Sequence, residues 1–494
     1  MPAVSFSFSI LLVYVLLRLP GIGVPLDRDE GAFGYIGQVI NRGGLPYLDA
    51  LDHKPPVAFF INAFALRLVP PTAEGMHTFL LAYNFLTLVC LFLIARIYFR
   101  SISVALWTAF AFAVFSASPA INGFTASTEM YALLPTVLSL LLAVAGMRNN
   151  RMVLLFLSGV AGATACWTKQ TAFTSVLFVF LFICTGALRG PVRNWKIPAV
   201  WLGGAVLFSA CVVFYFYAHG ILEPFIYWCF TYELDYASVP FSETLKMLPY
   251  RLGQIARGDF VFPAAGLVVA VAAAIRRDPR GFFLGGFLLL SFLGTVPGYV
   301  YPHYFVQIAP AVALAGGYAF SVFVGKRSVA ALAAGLAVVA ISAGVNREYF
   351  LGHDATAISR RHFGVNPFPE ARQVADFIAK STTVDDRVLI VGSEPEILFY
   401  AQRRSATPFV MIYPLTSEHG RYKEFQNTLW ADVLAKPPKY IVDLSGDEYS
   451  VGWDEDADLE ILRSLKGFIA QNYVLQRRMP VFNYSIDLYA YMRR

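Results

Sequence analysis

Long apolar runs constrain this sequence more than any other feature. A helix needs about 20 residues to cross the ~30 Å hydrocarbon core of a bilayer, and many runs approach that length. The first lacks the charged start and small-residue cleavage site of a signal peptide, so we expect a retained span. The sequence therefore predicts a polytopic, mainly α-helical membrane protein with about 11 transmembrane helices. The predicted spans lie near residues 4–22, 77–97, 103–118, 130–147, 152–167, 172–188, 197–218, 259–275, 281–297, 304–324 and 327–345.

Composition agrees with this class. Apolar residues make up 57% of the 494 residues and charged residues only 15%, whereas soluble globular proteins carry about 25% charged residues. The net charge of +6 is modest and gives no reason to expect a nucleic-acid partner. The five cysteines include no CxxC pair, so we interpret them as small buried hydrophobic residues.

Loop charges predict the orientation. With a cytoplasmic N-terminus every inner loop carries Lys or Arg, while the short outer loops 119–129 and 298–303 carry neither, as the positive-inside rule requires. An odd number of spans then places residues 346–494 outside. We expect a multi-pass protein of the plasma (inner) membrane with a periplasmic or extracellular C-terminal domain. The inner-loop cations are Arg96, Arg100, Arg148, Arg151, Arg189, Arg193, Lys196, Arg276, Arg277, Arg280, Lys326 and Arg327.

The tail after residue 345 has a different pattern, in which short apolar strands alternate with helical segments. This alternation indicates a small α/β domain, so we divide the chain into a transmembrane domain, 1–345, and an extracytoplasmic domain, 346–494. The turn Gly392-Ser393-Glu394 follows a strand, but without a complete phosphate-loop motif an ordinary strand-to-helix turn is the preferred interpretation. Strands are predicted at 388–392, 439–443 and 485–491, and helices near 369–380, 394–403, 420–435 and 457–472.

The first outer loop, residues 23–76, is the richest in candidate functional residues. Asp29 and Glu30 begin an amphipathic stretch that predicts a helix along the membrane surface, with the carboxylates where the helix dipole favours them. Helix capping is the alternative role for such a pair. Lys54 precedes Pro55-Pro56, a rigid turn into another apolar helix. A loop of this length exceeds what joining two spans requires and is typical of functional segments.

Further polar residues fall at the same outer face. Charged residues at membrane depth are costly and usually functional, although an interface lowers the cost and leaves a solvated-loop role as the alternative. In the outer stretch 219–258, aromatic and acidic residues suit contacts with a sugar or lipid, and an interfacial aromatic belt is the alternative. Together these residues predict one acidic and basic site. The additional candidates are Asp52, His53, Glu129, Lys169, Gln170, Tyr232, Glu233, Asp235, Arg257 and His303.

Five of these segments, taken in order, resemble the motif series of the GT-C glycosyltransferases. The resemblance is to the branch of protein O-mannosyltransferase-like enzymes and aminoarabinose lipid A transferases, and it covers roughly residues 1–320. The tail resembles the outward-facing domain that many bacterial members carry. No single segment is specific to this family. The ordered set of segments, together with the matching topology, makes the resemblance strong. The segments are Asp29-Glu30-Gly31, Asp52-His53-Lys54-Pro55-Pro56, Ser127-Thr128-Glu129, Thr168-Lys169-Gln170 and Pro302-His303-Tyr304.

The resemblance implies a membrane glycosyltransferase with a polyprenyl-phosphate-linked sugar donor, acting on the outer leaflet. The family's essential carboxylate corresponds to Asp29, the implied general base of an inverting transfer, with Glu30 beside it. Such a transfer needs a base for the acceptor hydroxyl and cations for the departing phosphate. The predicted phosphate-binding residues are Lys54, Lys169, His303 and Arg257. The predicted substrate-binding residues are Asp52, His53, Glu129, Gln170, Tyr232, Glu233 and Asp235.

The resemblance leaves the acceptor and a metal open. The acceptor is lipid A, another glycolipid, a polysaccharide intermediate or a protein hydroxyl. A protein is less favoured because no repeat-like insert follows the seventh span. Asp27-Arg28-Asp29 has the Asp-x-Asp spacing that holds a divalent metal in more distant GT-C enzymes. In the branch that this chain resembles no catalytic metal is implied, so we expect no cofactor and keep a metal as the alternative.

A polytopic transporter of lipid-linked or small substrates is the main alternative function. Such proteins show repeated halves and helices broken at mid-membrane, whereas this sequence has no visible repeat and its charges lie on one face. An acyltransferase would need a nucleophile signature that the sequence does not display. A scaffold protein would leave the paired carboxylates and the Lys-Pro-Pro segment unexplained.

Overall fold

The computed structural model describes residues 2–188, 194–236, 238, 240–325, 328–352, 354–417, 419–446 and 460–492. The predicted inner-loop cations Arg189, Arg193, Lys326 and Arg327, and the first residues of the helix predicted at 457–472, lie outside the described residues. The described chain is mainly helical, with one five-stranded sheet near its C-terminal end.

The first 345 residues form helices, a π-helical segment (Tyr227–Tyr232) and 3-10 segments (Pro119–Ile121 and Pro302–Ile308). In chain order the helices are α1 (Pro2–Leu16), α2 (Leu19–Ile22), α3 (Arg28–Asn41), α4 (Pro56–Ala65), α5 (Ala73–Tyr98), α6 (Ile102–Phe115), α7 (Thr128–Asn149), α8 (Met152–Cys166), α9 (Ala172–Leu188), α10 (Lys196–Ala218), α11 (Leu222–Ile226), α12 (Glu233–Tyr236), α13 (Phe241–Asp259), α14 (Val261–Ile275), α15 (Pro279–Leu293), α16 (Ala309–Val324) and α17 (Ser328–Val345).

Four described helices are long and apolar enough to cross a membrane: α5, α7, α10 and the segment Pro302–Val324, which contains α16. A fifth span results if α13 and α14, bent by 108°, form one broken span. The predicted count of about eleven is therefore not confirmed, although each predicted run contains a described helix. The other runs give apolar helices of 10–17 residues, shorter than the ~20 residues that a full crossing takes.

The C-terminal part is α/β, as the alternation of strands and helices predicts. Its helices are α18 (Arg347–Phe350), α19 (Ala355–Phe363), α20 (Phe368–Ser381), α21 (Glu396–Ala401), α22 (Tyr413–Thr416), α23 (Tyr422–Ala435) and α24 (Glu460–Asn472). Its strands are β1 (Arg387–Val391), β2 (Arg404–Ser405), β3 (Tyr440–Asp443), β4 (Tyr473–Val481) and β5 (Tyr484–Tyr491). The sheet order is β2-β1-β3-β5-β4. Strands β2, β1 and β3 are parallel, and β5 is antiparallel to both of its neighbours.

Helix α3 connects the two parts of the molecule. Its Phe33 and Ile36 belong to the same buried apolar cluster as Val388 and Ile390 of the central strand β1. Two glycines allow α21 to approach closely. A Cβ at Gly31 would lie 2.5 Å from the Glu396 backbone nitrogen, and one at Gly34 would lie 2.7 Å from the Phe399 ring. The start of the first outer loop is thereby packed against the C-terminal domain.

Candidate active site

The first turn of α3 is held by a reciprocal cap. The Asp27 carboxylate accepts a hydrogen bond from the Glu30 backbone nitrogen (2.9 Å), and the Glu30 carboxylate accepts one from the Asp27 nitrogen (3.1 Å). This arrangement satisfies two N–H groups that a helix start leaves unpaired. The buried Glu30 carboxylate also accepts from Ala126 N (2.6 Å) and lies 2.9 Å from His77 Nε2. Glu30 thus takes the capping role and points into the protein.

Asp29 points elsewhere. It lines a cavity of about 730 Å³ at one end of the helical part. Within the described part of the chain, its carboxylate receives no hydrogen bond or ion pair from a protein group. The predicted site residues that share this cavity wall are Asp52, His53, Lys54, Glu129, Lys169, Tyr232, Asp235 and His303. Segments far apart in the sequence thus meet at one cavity.

Lys54 is fixed by the local turn. The Asp52 side chain accepts from the Lys54 backbone nitrogen at 2.9 Å, a short turn that Asp favours. Pro56 is the first residue of α4, the helix position at which proline is best tolerated. The Lys54 ammonium lies 2.6 Å from His53 Nε2 and 3.8 Å from the Glu233 carboxylate. Glu233 thus contacts the cation without itself lining the cavity.

Electrostatics keep Lys54 charged. Burial acts to lower its pKa, but the carboxylates of Glu233, Asp29 and Asp52 outweigh burial and raise it. Burial, reinforced by the nearby lysine charges, holds the pKa of His53 well below its ordinary value. The imidazole is therefore neutral and accepts a hydrogen bond from the Lys54 ammonium. Burial also raises the pKa of Asp52 to about 7, against the opposing attraction of Lys54.

A second buried lysine faces the same cavity. Lys169 lies between α8 and α9 and forms a 3.0 Å ion pair with Glu129 in the first turn of α7. Its ammonium also lies 5.1 Å from the centre of the Tyr304 ring, a cation–π distance. His303 stacks on Tyr301 with ring centres 5.6 Å apart. The cavity wall therefore carries two buried lysines and an aromatic face.

Besides Glu30 and Glu233, two more predicted residues do not line the cavity. Arg257 is exposed, and its side chain donates to the Gly253 carbonyl on its own helix. Gln170 does not line the cavity, and its side-chain amide nitrogen is 3.5 Å from the Cys229 carbonyl. Arg251 of α13 lines the cavity instead, with Nε donating to the Val300 carbonyl. Residues 251 and 257 are six apart, which is about 240° around a helix, so they face different directions.

The C-terminal domain supplies part of the wall, which sequence reasoning missed. Tyr413 and His419 line the cavity opposite the membrane helices, and His419 packs edge-on against Tyr232 at 5.1 Å. Arg28 lines it as well and pairs with Glu394 of the C-terminal domain. In the sequence, the position of Arg28 between Asp27 and Asp29 was the one sign that it belongs to the site. Its partner Glu394 could not be predicted because it is 366 residues away.

A metal site would need several ligands in reach of one another. Among the described residues, no group of three or more His, Cys, Asp or Glu side chains is arranged to hold a metal ion. In the Asp-x-Asp pair, the Asp27 carboxylate is already used as the helix cap. Asp27 thus serves the helix cap, and the expectation of no catalytic metal stays a prediction.

The helical part and the α/β domain meet at a charged cavity, and the same overall fold is found in solved structures. The chain is similar to ArnT from Cupriavidus metallidurans, solved in the apo state (TM-score 0.64) and bound to undecaprenyl phosphate (TM-score 0.63). Both matches have 15% identity and cover 99% of this chain and 97% of the other. At this identity the likeness establishes the fold.

Other comparisons add little. An Archaeoglobus fulgidus oligosaccharyltransferase tethered with an acceptor peptide matches at a TM-score of 0.49 and 12% identity, over 99% of this chain and 74% of that one; no conclusion rests on it. The sequence matches no protein-family model and no curated protein.

Proposed function

We propose that this chain is a membrane glycosyltransferase that moves a sugar from a polyprenyl-phosphate-linked donor to an acceptor hydroxyl at the outer face of the membrane. One observation carries the proposal: the Asp29 carboxylate, which has no partner among the described residues, shares a cavity with a buried, charged Lys54. A base and a cation in one cavity are what transfer from a glycosyl phosphate requires. The fold supports it, because a similar structure was solved bound to undecaprenyl phosphate.

In the proposed reaction, Asp29 accepts the proton of the acceptor hydroxyl while that oxygen attacks the anomeric carbon. The bond between this carbon and the phosphate oxygen breaks, and both electrons leave with the polyprenyl phosphate. Attack opposite the leaving group inverts the anomeric centre. Asp29 suits the role because no protein donor among the described residues occupies its oxygens.

The cations of the cavity stabilise the departing phosphate. Lys54 is the principal one, since its ammonium is held by neutral His53 and kept protonated by nearby carboxylates. Arg251 joins it from α13, and its guanidinium has no carboxylate partner in the described chain. Lys169 shares its charge with Glu129. Charge-assisted hydrogen bonds from such groups are about twice as strong as neutral ones.

The cavity fits a substrate that is part sugar and part lipid. Its volume of about 730 Å³ lies within the ~300–1,000 Å³ range of small-molecule sites. Helix α13, which contributes Arg251, is bent by 108° from the apolar α14 and so suits a position along the bilayer surface, beside a lipid-linked donor. The acceptor is a glycolipid, lipid A, a polysaccharide intermediate or a protein hydroxyl.

Transfer of labelled sugar from polyprenyl-phosphate donors, in membranes containing the full chain, tests the proposal. We expect the wild type to transfer sugar and Asp29→Asn to lose at least about 100-fold in rate. Asp49→Asn is the matched control, because Asp49 lies on the same outer loop but is exposed and outside the cavity wall. If folded wild-type protein transfers sugar from none of these donors, the proposal is contradicted and the alternative function, a transporter, is favoured.

A further inference from the structure

Arg28, the residue before Asp29, is held by the C-terminal domain. Its Nη2 lies 2.6 Å from a carboxylate oxygen of Glu394, and its Nε donates to the Ser393 carbonyl. A weaker contact from Nη2 reaches the Asn366 side chain at 3.3 Å. Glu394 is fully buried, so this ion pair lies inside the junction between the two parts of the protein.

The residue after Asp29 is held by the membrane part. The Glu30 carboxylate contacts His77 of α5 and the Ala126 backbone nitrogen just before α7. Consecutive helix residues are separated by about 100° around the axis. Arg28 and Glu30 therefore fix the first turn of α3 from two sides, and Asp29 projects between them into the cavity.

We propose that Glu394 is a positioning residue for this active site. By holding Arg28, Glu394 sets the rotation of the first turn of α3 and with it the direction of the Asp29 carboxylate. The C-terminal α/β domain then orients the Asp29 carboxylate in addition to lining the cavity. This inference rests on the proposed function of Asp29.

Contacts other than the Arg28–Glu394 pair also hold α3 against the C-terminal domain. Gly31 and Gly34 keep α3 against α21, and the Ser405 backbone nitrogen donates a 2.7 Å hydrogen bond to the Tyr35 hydroxyl. These contacts remain when the Arg28–Glu394 pair is lost. Glu394→Gln therefore changes the orientation of one turn while the domain stays attached.

The kinetic pattern distinguishes positioning from direct substrate binding. If Arg28 bound the donor phosphate itself, Glu394→Gln would release Arg28 from its partner and lower the KM for the donor. If Glu394 positions Asp29, the variant lowers kcat about 10- to 100-fold with little change in KM, because small misplacements of a reacting group cost rates of that order. Glu394→Asp restores part of the lost rate.

The matched control is another ion pair between the same two parts. Arg372 of α20 pairs with Glu74 of α5 at 3.1 Å, is partly exposed and lies outside the cavity wall. Because exposed ion pairs contribute little, we expect Glu74→Gln to change kcat less than about twofold. Loss of kcat in Glu394→Gln no greater than in Glu74→Gln, at equal amounts of folded protein, would overturn the inference.

A second measurement does not depend on sugar transfer. In Asp29→Cys, a charged thiol reagent reports access to position 29 from the cavity, after subtraction of the labelling of the native cysteines. We expect Glu394→Gln to change this labelling rate several-fold and Glu74→Gln to leave it unchanged; equal rates in all backgrounds would refute the positioning role. If the wild type transfers no sugar, the proposed function fails. The labelling rates alone then show whether Glu394 sets the direction of the side chain at position 29. Arg28→Gln replaces Glu394→Gln if the latter does not fold.

Discussion

At the scale of single residues, adjacent carboxylates in the first turn of α3 have different roles. Asp27 and Glu30 form the cap, whereas Asp29 is left for the cavity. We expect Glu30→Gln to destabilise the protein, because Gln cannot match the charge facing His77 and the Ala126 nitrogen. Asp29→Asn should leave stability within about 0.5 kcal/mol, as substitutions outside such networks usually do. Thermal unfolding in detergent, followed for both variants, checks this division, and the reverse order of Tm values would contradict it.

Asp52 predicts a pH dependence of stability. Burial raises the pKa of its carboxyl to about 7, against about 3.9 in an unfolded chain. Between these values the folded state binds more protons than the unfolded state, so this group's contribution to stability falls as pH rises from about 4 to 7. Asp52→Asn keeps a turn-forming side chain and removes the titration. The Tm of the wild type, compared with that of Asp52→Asn, should fall from pH 5 to pH 7.5; parallel curves would contradict the assignment.

At the scale of elements, α13 carries two arginines that the sequence and the structure rank differently as ligands of the donor phosphate. Sequence reasoning chose Arg257 for the donor phosphate, whereas the helix presents Arg251 to the cavity. We expect Arg251→Gln to raise the KM for the donor about tenfold, the effect of losing one charge-assisted contact, and Arg257→Gln to have no effect. KM values for a polyprenyl-phosphate sugar check this, and the opposite ranking would restore the sequence-based choice.

How far the sequence predicts each element depends on how local its signal is. The helix at Asp29 follows from a cap and an apolar periodicity within a few residues, and α3 is present. Strand β4 escaped prediction because Gln476, Arg477 and Arg478 interrupt the alternation. An edge strand tolerates such exposure. The turn at Glu394 does join β1 to α21, as predicted, but its contact with Arg28 depends on tertiary packing that no local pattern encodes.

At the scale of the whole molecule, the two parts share one apolar cluster. Phe33 and Ile36 of α3 are fully or almost fully buried against residues of the C-terminal domain. We therefore expect a chain truncated after residue 345 to expose this face of α3 and to yield no stably folded, active protein. Size-exclusion profiles and transfer assays of the truncated and full chains check this. An active, monodisperse truncated chain would contradict the shared cluster as a requirement for folding.

The orientation of the molecule sets where its chemistry takes place. The C-terminal domain lines the cavity, so cavity and domain face the same side, and the loop cations predict that this side is external. A cysteine in place of exposed Gln476 of β4 should react with a membrane-impermeant thiol reagent in intact cells. One in place of exposed Asn149, at the end of α7, should react only after lysis. Labelling of the wild-type chain gives the background from the native cysteines. The opposite result would place Asp29 on the cytoplasmic side, where the donor would have to be presented at the inner leaflet.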